Sequence, residues 1–303
     1  MHVPVLVEEV VALVAPERGG VFVDCTVGLG GHARVLLERG ASRLIGFDRD
    51  PAALAIAATT LSSYGDRVEL VHTDYRGLGD ALVRRGVDKV DGILADLGVS
   101  SLQLDAEGRG FSFRRDDPLD MRMDTTQGET AADLLARVEE SDLADVIYQF
   151  GEERDSRRIA RLLIKAREEA PLTTTGRVAD LVRRASRSKR GRDWQRIDPA
   201  TRTFQALRIW VNRELEGLDT FLTAAVTRLA TGGRLAVITF HSLEDRIVKH
   251  TFRALATPGG GDFGPLIPAP VRVLTKRPVT PGDVELAVNP RARSAKLRAV
   301  ERV

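Results

Sequence analysis

The chain has 303 residues, of which 43% are hydrophobic, 29% charged and only 5% aromatic, which is typical of a folded globular protein and excludes a largely disordered chain. No apolar run approaches the roughly 20 residues that span a bilayer, and the first residues lack the basic and apolar segments of a secretion signal, so we expect a cytoplasmic protein. A single cysteine excludes an internal disulfide, and five scattered histidines show no metal-ligand spacing, so no metal site is predicted.

The net charge of +2 is unevenly distributed along the chain. Residues 1–104 hold 10 basic and 14 acidic side chains, so the remainder carries +6. The densest basic stretch lies between Arg183 and Arg196. Nucleic acid would favour such a stretch, because phosphate contacts release counterions. A solvated arginine-rich loop explains the same composition.

The first third of the chain alternates short apolar runs with helical patterns, which predicts β-α-β units around a parallel sheet. A helix is predicted from His32 to Arg39, and Pro51 is placed to open the next one. The predicted strands are Val21–Asp24, Arg43–Asp48, Val68–His72 and Val90–Asp96.

Residues 105–197 do not continue this alternation of strands and helices, because they are rich in charge and show helical rather than strand periodicity. We interpret them as an inserted helical subdomain that binds the substrate. The sheet domain is then split into two parts, residues 1–104 and residues 198–303.

The second part of the sheet domain is predicted to begin with one long helix. Asp198 and Pro199 have the residue types of an N-cap and a first-turn proline. Apolar residues then continue at helical spacing from Phe204 to Leu222. Further strands, which bring the total to about seven, are predicted at 234–240, 271–274 and 295–300.

The glycine-rich segment from Gly28 to Ala33 fits the Gly-x-Gly-x-x-Gly/Ala pattern between a strand and a helix, where missing side chains let a ligand approach the backbone. A nicotinamide or flavin cofactor satisfies this pattern equally, and so does a tight turn without a ligand. Asp48 ends the next strand about 20 residues later, where a carboxylate can accept hydrogen bonds from both ribose hydroxyls. Asp50 is the nearby rival, and it is predicted to cap the helix that Pro51 begins.

The third strand ends in Asp74-Tyr75, within reach of a nucleoside cofactor that lies along the strand ends. Tyr75 is a candidate to pack on the adenine ring. Alternatively, it is an aromatic residue that closes the edge of the sheet.

Asp96 ends the fourth strand, at the carboxyl edge of the sheet beside the position expected for the nucleoside cofactor. If that cofactor donates a group to the exocyclic amine of a base, the amine is a poor nucleophile, because its lone pair is delocalised into the ring. A carboxylate that accepts one of its hydrogens favours the pyramidal nitrogen and orients it for attack. Asp96 is a candidate for this role, although a strand-terminal Asp often caps the turn that follows it.

Two later segments carry further candidates. His241 follows the resumed strand at the same edge of the sheet, where it is placed to contact RNA or receive a proton, or simply to start a helix. Arg291 and Arg293 belong to a second basic cluster, with Lys296 and Arg298, that suits phosphate contact.

At these motifs the sequence closely resembles the RsmH (MraW) family, bacterial enzymes that methylate the exocyclic amine of one cytidine in small-subunit ribosomal RNA. The resemblance covers nearly the whole chain, and so many long motifs in one order are highly specific. They are His2 to Glu9, Gly28 to His32, Phe47 to Pro51, Asp91 to Ser101, Arg109 to Phe113, Pro118 to Asp124, Tyr148 to Arg154, Pro199 to Asn212, Phe240 to Lys249 and Asn289 to Ser294.

The resemblance implies an α/β fold: the Rossmann-like seven-stranded sheet of class I methyltransferases, interrupted by a helical subdomain. It also implies S-adenosyl-L-methionine as cofactor and methylation at N4 of a cytidine in 16S ribosomal RNA, near the decoding region. The partner is then this RNA or the 30S subunit, and the protein is a monomer or a homodimer. The cofactor contacts carried over are Gly30, Gly31, His32, Asp48, Tyr75, Asp96 and Gln103.

Three further points concern the cofactor and the substrate. Tyr75 stands where some members have Phe, so aromatic packing is preserved. Residues 183–196 look variable in length among such proteins, so we assign them only nonspecific phosphate contact. Asp120 and Arg122 are our candidates for the base pocket, whereas the neighbouring Met residues more often serve in packing.

Two other classes of protein compete with this interpretation. A nicotinamide-dependent oxidoreductase would use the same glycine-rich turn, but no Tyr/Lys pair at short helical spacing is visible near Tyr64, Tyr75 or Tyr148. A noncatalytic RNA-binding assembly factor would retain the fold without transferring a methyl group.

Overall fold

The computed structural model describes residues 4–186, 198–259 and 267–303. It divides into two compact units: unit 1 is Met1–Gly98 with Gly217–Val303, and unit 2 is Val99–Glu216. His2 and most of the basic stretch, from residue 187 to 196, lie outside the described residues.

Helices and strands of the described residues are named here in chain order. The α-helices are α1 (Val7–Val14), α2 (Gly31–Glu38), α3 (Pro51–Thr60), α4 (Leu78–Val83), α5 (Ser101–Asp105), α6 (Ala131–Arg137), α7 (Glu140–Gly151), α8 (Ser156–Glu169), α9 (Thr175–Ser186), α10 (Ala200–Asn212), α11 (Leu218–Arg228), α12 (Ser242–Leu255) and α13 (Asp283–Val288). The strands are β1 (Val21–Asp24), β2 (Arg43–Asp48), β3 (Val68–His72), β4 (Val90–Asp96), β5 (Leu229–Thr239), β6 (Val271–Val273) and β7 (Lys296–Arg302). No helix of the described residues is long and apolar enough to cross a membrane.

All seven of these strands form one sheet in unit 1, in the order β3-β2-β1-β4-β5-β7-β6. Strands β1 to β5 pair in parallel, and β7 runs antiparallel to both β5 and β6. The parallel β-α-β units predicted for the first third of the chain are confirmed, and so are the total of about seven strands and the class I methyltransferase fold.

Helices cover both faces of this sheet, because the strands are apolar on both sides. On β1, Phe22 packs on one face in a cluster that includes residues of α1, α2 and α3. Its neighbour Val23 packs on the other face, in a cluster with residues of α4, α11 and α12. The alternation of β1 thus divides the core of unit 1 into two layers.

The order of the strands places the candidate site. β1 lies between β2 and β4, so the chain reverses its direction of winding at β1. Ligands of open α/β sheets bind at the carboxyl ends of the strands near such a reversal. Asp24, Asp48 and Asp96 are the last residues of β1, β2 and β4.

Unit 2 is helical and has its own core. Buried apolar residues of α6 to α10 form one cluster, which includes Leu135, Ile147, Leu163, Val178 and Leu207. The compact unit extends beyond the predicted insert of 105–197 at both ends, and at the C-terminal end it does so because α10 contributes to this core.

The single long helix predicted from Asp198 to Leu222 is wrong, because α10 ends at Asn212. Arg213 adopts a left-handed backbone with φ 49°, and the N–H of Glu214 bonds back to the carbonyl of Ile209 at 3.2 Å. Glu214 also accepts two hydrogen bonds from Arg208, at 2.8 and 2.7 Å. The pattern of apolar spacing could not reveal this turn, because it depends on a backbone conformation and a buried ion pair. The predicted start is supported, since Asp198 Oδ1 accepts the N–H of Ala200 at 2.9 Å.

Candidate functional site

The glycine-rich turn connects β1 to α2 and is held to the end of β2. Gly28 and Gly30 both have positive φ, 53° and 85°, which favours glycine. The N–H of Gly28 donates to Asp48 Oδ2 at 2.8 Å, and the N–H of Val27 donates to the Phe47 carbonyl at 2.7 Å. The turn and Asp48 therefore form one rigid part of the site.

Asp48 lies at the end of β2 with both carboxylate oxygens engaged by backbone. In addition to the bond from Gly28, Oδ1 accepts the N–H of Asp50 at 2.9 Å. Burial raises the pKa of Asp48, and these two hydrogen bonds oppose the rise. Asp50 itself accepts the N–H of Ala52 at 3.1 Å, at the start of α3. Its predicted capping role is confirmed.

The N-terminal segment lies directly against the turn. A Cβ atom added to Gly31 would lie 2.5 Å from Cγ of Pro4, so only glycine fits there without displacing the segment. Nε2 of His32 lies 2.8 Å from the carbonyl oxygen of Val5. The His2 to Glu9 motif thus contributes to this site through its described residues.

Asp96, at the end of β4, is positioned by three neighbours. Its own N–H donates to Oγ1 of Thr26 at 2.7 Å, and its Oδ1 accepts the N–H of Gly98 at 3.1 Å. Oδ2 lies 3.8 Å from Nδ1 of His32, and the side chain is 21% exposed. Asp96 therefore caps the following turn, as the alternative interpretation predicted, and still presents a carboxylate oxygen near His32.

Asp24 is a residue of this site that the sequence analysis quoted but did not assign. It is fully buried at the end of β1, and Oδ1 accepts the N–H of Thr26 at 3.1 Å. Burial raises the pKa of Asp24 to about 8, and the charges of Asp96 and Asp48 add to the rise. A polar residue ending an apolar strand just before the glycines was the available signal.

Asp74 and Tyr75 follow β3, and each is engaged locally. Burial alone would raise the pKa of Asp74, but ion pairs with Arg76 and Arg49 lower it below its usual range. The Tyr75 ring packs against Phe221, with ring centroids 4.7 Å apart. Tyr75 is therefore part of the core at the sheet edge, and its predicted contact with adenine stays a prediction.

His241 begins α12, as the alternative for this residue predicted. Its Nδ1 accepts the N–H of Glu244 at 3.4 Å, and its Nε2 lies 3.1 Å from Glu244 Oε1. Glu244 Oε2 in turn accepts the N–H of His241 at 3.4 Å. This reciprocal arrangement is a capping box.

The second basic cluster separates into two parts. Arg298 and Lys296 pair with Asp245, with closest N–O distances of 2.6 and 3.4 Å. Arg291 and Arg293 lie on a short 3-10 helix, Pro290–Ser294, and both side chains are exposed. Arg293 and Lys296 line a depression of about 270 Å³ together with Phe240, His241, Ser242, Thr280, Ser294 and Ala295.

The remaining predicted site residues lie in unit 2. Gln103 forms a capping box with Ser100 at the start of α5, with hydrogen bonds of 3.0 and 3.2 Å. Arg122 donates to both carboxylate oxygens of Asp120, at 2.9 and 2.8 Å, and to the Gly128 carbonyl at 3.3 Å. The structure thus shows Asp120 and Arg122 holding their own loop.

Comparison with known proteins gives a consistent result. A family model described as the MraW methylase family matches residues 1–303. The chain is 53% identical over 306 residues to ribosomal RNA small subunit methyltransferase H of Bradyrhizobium diazoefficiens, covering 99% of this chain and 91% of the relative. Proteins of the same name from Geotalea uraniireducens and Sorangium cellulosum are 49% and 51% identical over 311 and 302 residues. These alignments cover all of this chain and 98% and 91% of those relatives.

Proposed function

The chain belongs to the MraW methylase family and is an S-adenosylmethionine-dependent methyltransferase, and from this premise we propose that it methylates the exocyclic N4 amine of a cytidine in small-subunit ribosomal RNA. The names of the relatives support ribosomal RNA as the substrate, and the family resemblance supports cytidine as the methylated nucleotide. We propose that the substrate is this RNA or the 30S subunit, in the cytoplasm.

The carboxyl groups at the strand ends fit the cofactor electrostatically. S-adenosylmethionine carries a sulfonium and an ammonium group, and Asp48 and Asp96 place negative charge at one edge of the sheet, whereas Asp24, with its pKa of about 8, keeps its proton at neutral pH. The bare backbone from Gly28 to Gly31 leaves room for close approach. When bound, the cofactor supplies an electrophilic methyl group on sulfur.

We assign the cofactor contacts as the family resemblance implies. Gly30 and Gly31 offer backbone, Asp48 accepts hydrogen bonds from the ribose, and Tyr75 provides the aromatic surface. His32, Asp96 and, in unit 2, Gln103 complete the proposed set. Asp120, Arg122, Arg291 and Arg293 are proposed substrate contacts.

The position of Asp96 carries the proposed reaction. Its backbone is bound to Thr26 and its Oδ1 to Gly98, so the carboxylate is held at the carboxyl end of β4. From there it can accept a hydrogen of the cytidine amine, which favours the pyramidal nitrogen and removes the proton after methyl transfer. His241 follows β5 at the same edge, and we propose that it contacts the RNA.

Transfer of labelled methyl from S-adenosylmethionine to small-subunit RNA and to isolated subunits tests this proposal. We expect Asp96→Ala to lower the rate by at least about 100-fold, since a positioned base typically contributes that much. Its thermal shift with S-adenosylmethionine should persist. Asp91→Asn is a matched control, because Asp91 lies near the other end of β4 and its exposed carboxylate only accepts the N–H of Val21.

Three outcomes would contradict the proposal in different ways. Equal methylation by Asp96→Ala would remove Asp96 from the reaction. A thermal shift with NAD in place of S-adenosylmethionine would favour an oxidoreductase, and absence of any methyl transfer by the wild type would favour an assembly factor.

Mass spectrometry of the modified nucleotide then tests the N4 assignment. His241→Asn in the same assay tests the RNA contact, because Asn keeps an acceptor for the N–H of Glu244.

A further inference from the structure

The N-terminal segment places one carbonyl group firmly beside His32. Leu6 is fully buried and adopts a left-handed backbone with φ 55°. Its N–H donates to Glu285 Oε1 at 2.8 Å. The preceding carbonyl, of Val5, lies 2.8 Å from Nε2 of His32. The carbonyl is thus held on the side of the ring away from Asp96.

This contact determines which ring nitrogen carries hydrogen. A carbonyl oxygen only accepts hydrogen bonds, so Nε2 of His32 must be the donor. In the neutral imidazole the other nitrogen, Nδ1, then has a free lone pair. Nδ1 lies 3.8 Å from Oδ2 of Asp96. The ring, which is 8% exposed, therefore directs a proton acceptor toward Asp96.

Three carboxyl groups end neighbouring strands on this side of the sheet. Asp96 faces His32 from β4, and Asp24 and Asp48 end the neighbouring strands β1 and β2. The charges of Asp96 and Asp48 act on Asp24, so the three carboxyl groups interact electrostatically. Negative charge at this edge stabilises a positive charge that arises among them.

We propose that His32 is a positioning residue that takes up, through Asp96, the proton that the methylated amine must lose. This inference rests on the proposed function. The amine nitrogen forms its bond to the methyl group with its own lone pair, while the sulfur–methyl bond breaks and leaves its electron pair on sulfur. The nitrogen, now positive, gives one hydrogen to a carboxylate oxygen of Asp96. That proton moves on to Nδ1 of His32, and the carboxylate of Asp96 is restored.

His32→Gln tests this role, because the Gln amide can still donate to the Val5 carbonyl but cannot take up a proton. We expect its single-turnover rate to fall roughly 10- to 100-fold, within the range of a general base. The wild-type rate should decline as pH falls, because an imidazolium cannot accept a proton. This decline should be reduced in His32→Gln, and the loss of rate should clearly exceed any loss of affinity for S-adenosylhomocysteine, measured by calorimetry, because His32 is also a proposed cofactor contact. His250→Gln, an exposed histidine on α12, is the control.

A second measurement needs neither RNA nor activity. Nitrogen-15 NMR of the imidazole in the cofactor-free protein should show hydrogen on Nε2 and a bare Nδ1 when the ring is neutral. Hydrogen on Nδ1 instead would overturn the inference. So would an unchanged rate and pH profile in His32→Gln, or a loss of S-adenosylhomocysteine affinity as large as the loss of rate. If the wild type transfers no methyl group to RNA, the proposed function fails, and with it the proton path.

Discussion

Buried polar groups are arranged differently in the two units. In unit 1, Asp24, Asp48 and Asp96 end adjacent parallel strands, and burial raises the pKa of the first two. In unit 2, several buried polar side chains satisfy backbone groups or form ion pairs. Asn212 donates to the carbonyls of Met121 and Arg208 and accepts the N–H of Met123.

This difference distinguishes polar groups that we expect to serve function from polar groups that we expect to stabilise the fold. Burial of a carboxyl group costs folding free energy, neighbouring carboxylates add to that cost for Asp24, and active sites are where such perturbed pKa values cluster. A bound cofactor with positive charge would offset part of that cost in unit 1. Asn212 in unit 2 is satisfied by backbone groups without a ligand, so we expect its loss to affect stability first.

The largest expected effect concerns Asp24. Its folded-state pKa of about 8 lies above the ordinary value of 3.8, so the folded protein keeps a proton that the unfolded chain releases between these values. Stability must then fall as pH rises, by roughly 4 kcal/mol between pH 4 and pH 7 from this group. Asp24→Asn, which is always neutral and keeps the acceptor for Thr26, should lack that decline. Urea unfolding across this pH range measures it.

The contribution of Asp24 is isolated by comparing the pH dependence of stability in the wild type and in Asp24→Asn. Asp74, Asp245 and Glu301 have lowered pKa values, for which ion pairs outweigh burial. They stabilise the fold above their unfolded pKa values and lose that effect as pH falls. These three groups are present in both proteins, so the difference between the two stability curves is due to Asp24. Parallel stability curves for wild type and Asp24→Asn would contradict the folding cost that we assign to the buried carboxyl group of Asp24.

The next effect belongs to unit 2. Asn212→Leu preserves the approximate volume but leaves the Met121 carbonyl and the Met123 N–H without their buried partner. We expect a loss of roughly 3 kcal/mol in the free energy of unfolding, measured by urea denaturation. Thr201→Val, an exposed change on the same helix α10, is the control. A loss in Asn212→Leu no larger than in the control would show that unit 2 does not depend on this network.

The smallest effect is expected at the surface of unit 2. Arg161 on α8 lies 3.4 Å from Glu140 at the start of α7, and both side chains are well exposed. Exposed pairs contribute little, because water screens the charges, so Arg161→Ala should change the free energy of unfolding by less than about 1 kcal/mol. A loss comparable to that of Asn212→Leu would mean that burial does not distinguish the two interactions.

Much of the site was predictable because it lies at the ends of strands. Asp48 and Asp96 each end an apolar run, and the polar residue at such an end reaches the carboxyl edge of a parallel sheet. The role of Asp50 as the N-cap of α3 was also predictable from the sequence, since Pro51 marks the first turn of that helix. Asp24 was not assigned, because the raised pKa depends on burial and on neighbours from other strands.

The sequence by itself determined the alternation of strands and helices, the helical character of the interrupting segment and the family, because periodicity and motifs are local properties of the chain. The tertiary structure decided where α10 ends, since the left-handed Arg213 and the pair of Arg208 with Glu214 exist only in the packed turn. It also decided how Asp120 and Arg122 bind each other. Finally, it placed the Val5 carbonyl on one nitrogen of His32 and Asp96 near the other. The contacts of His32 join residues that are distant in the sequence, whereas the two ion pairs depend on backbone conformations that arise only when the chain is packed.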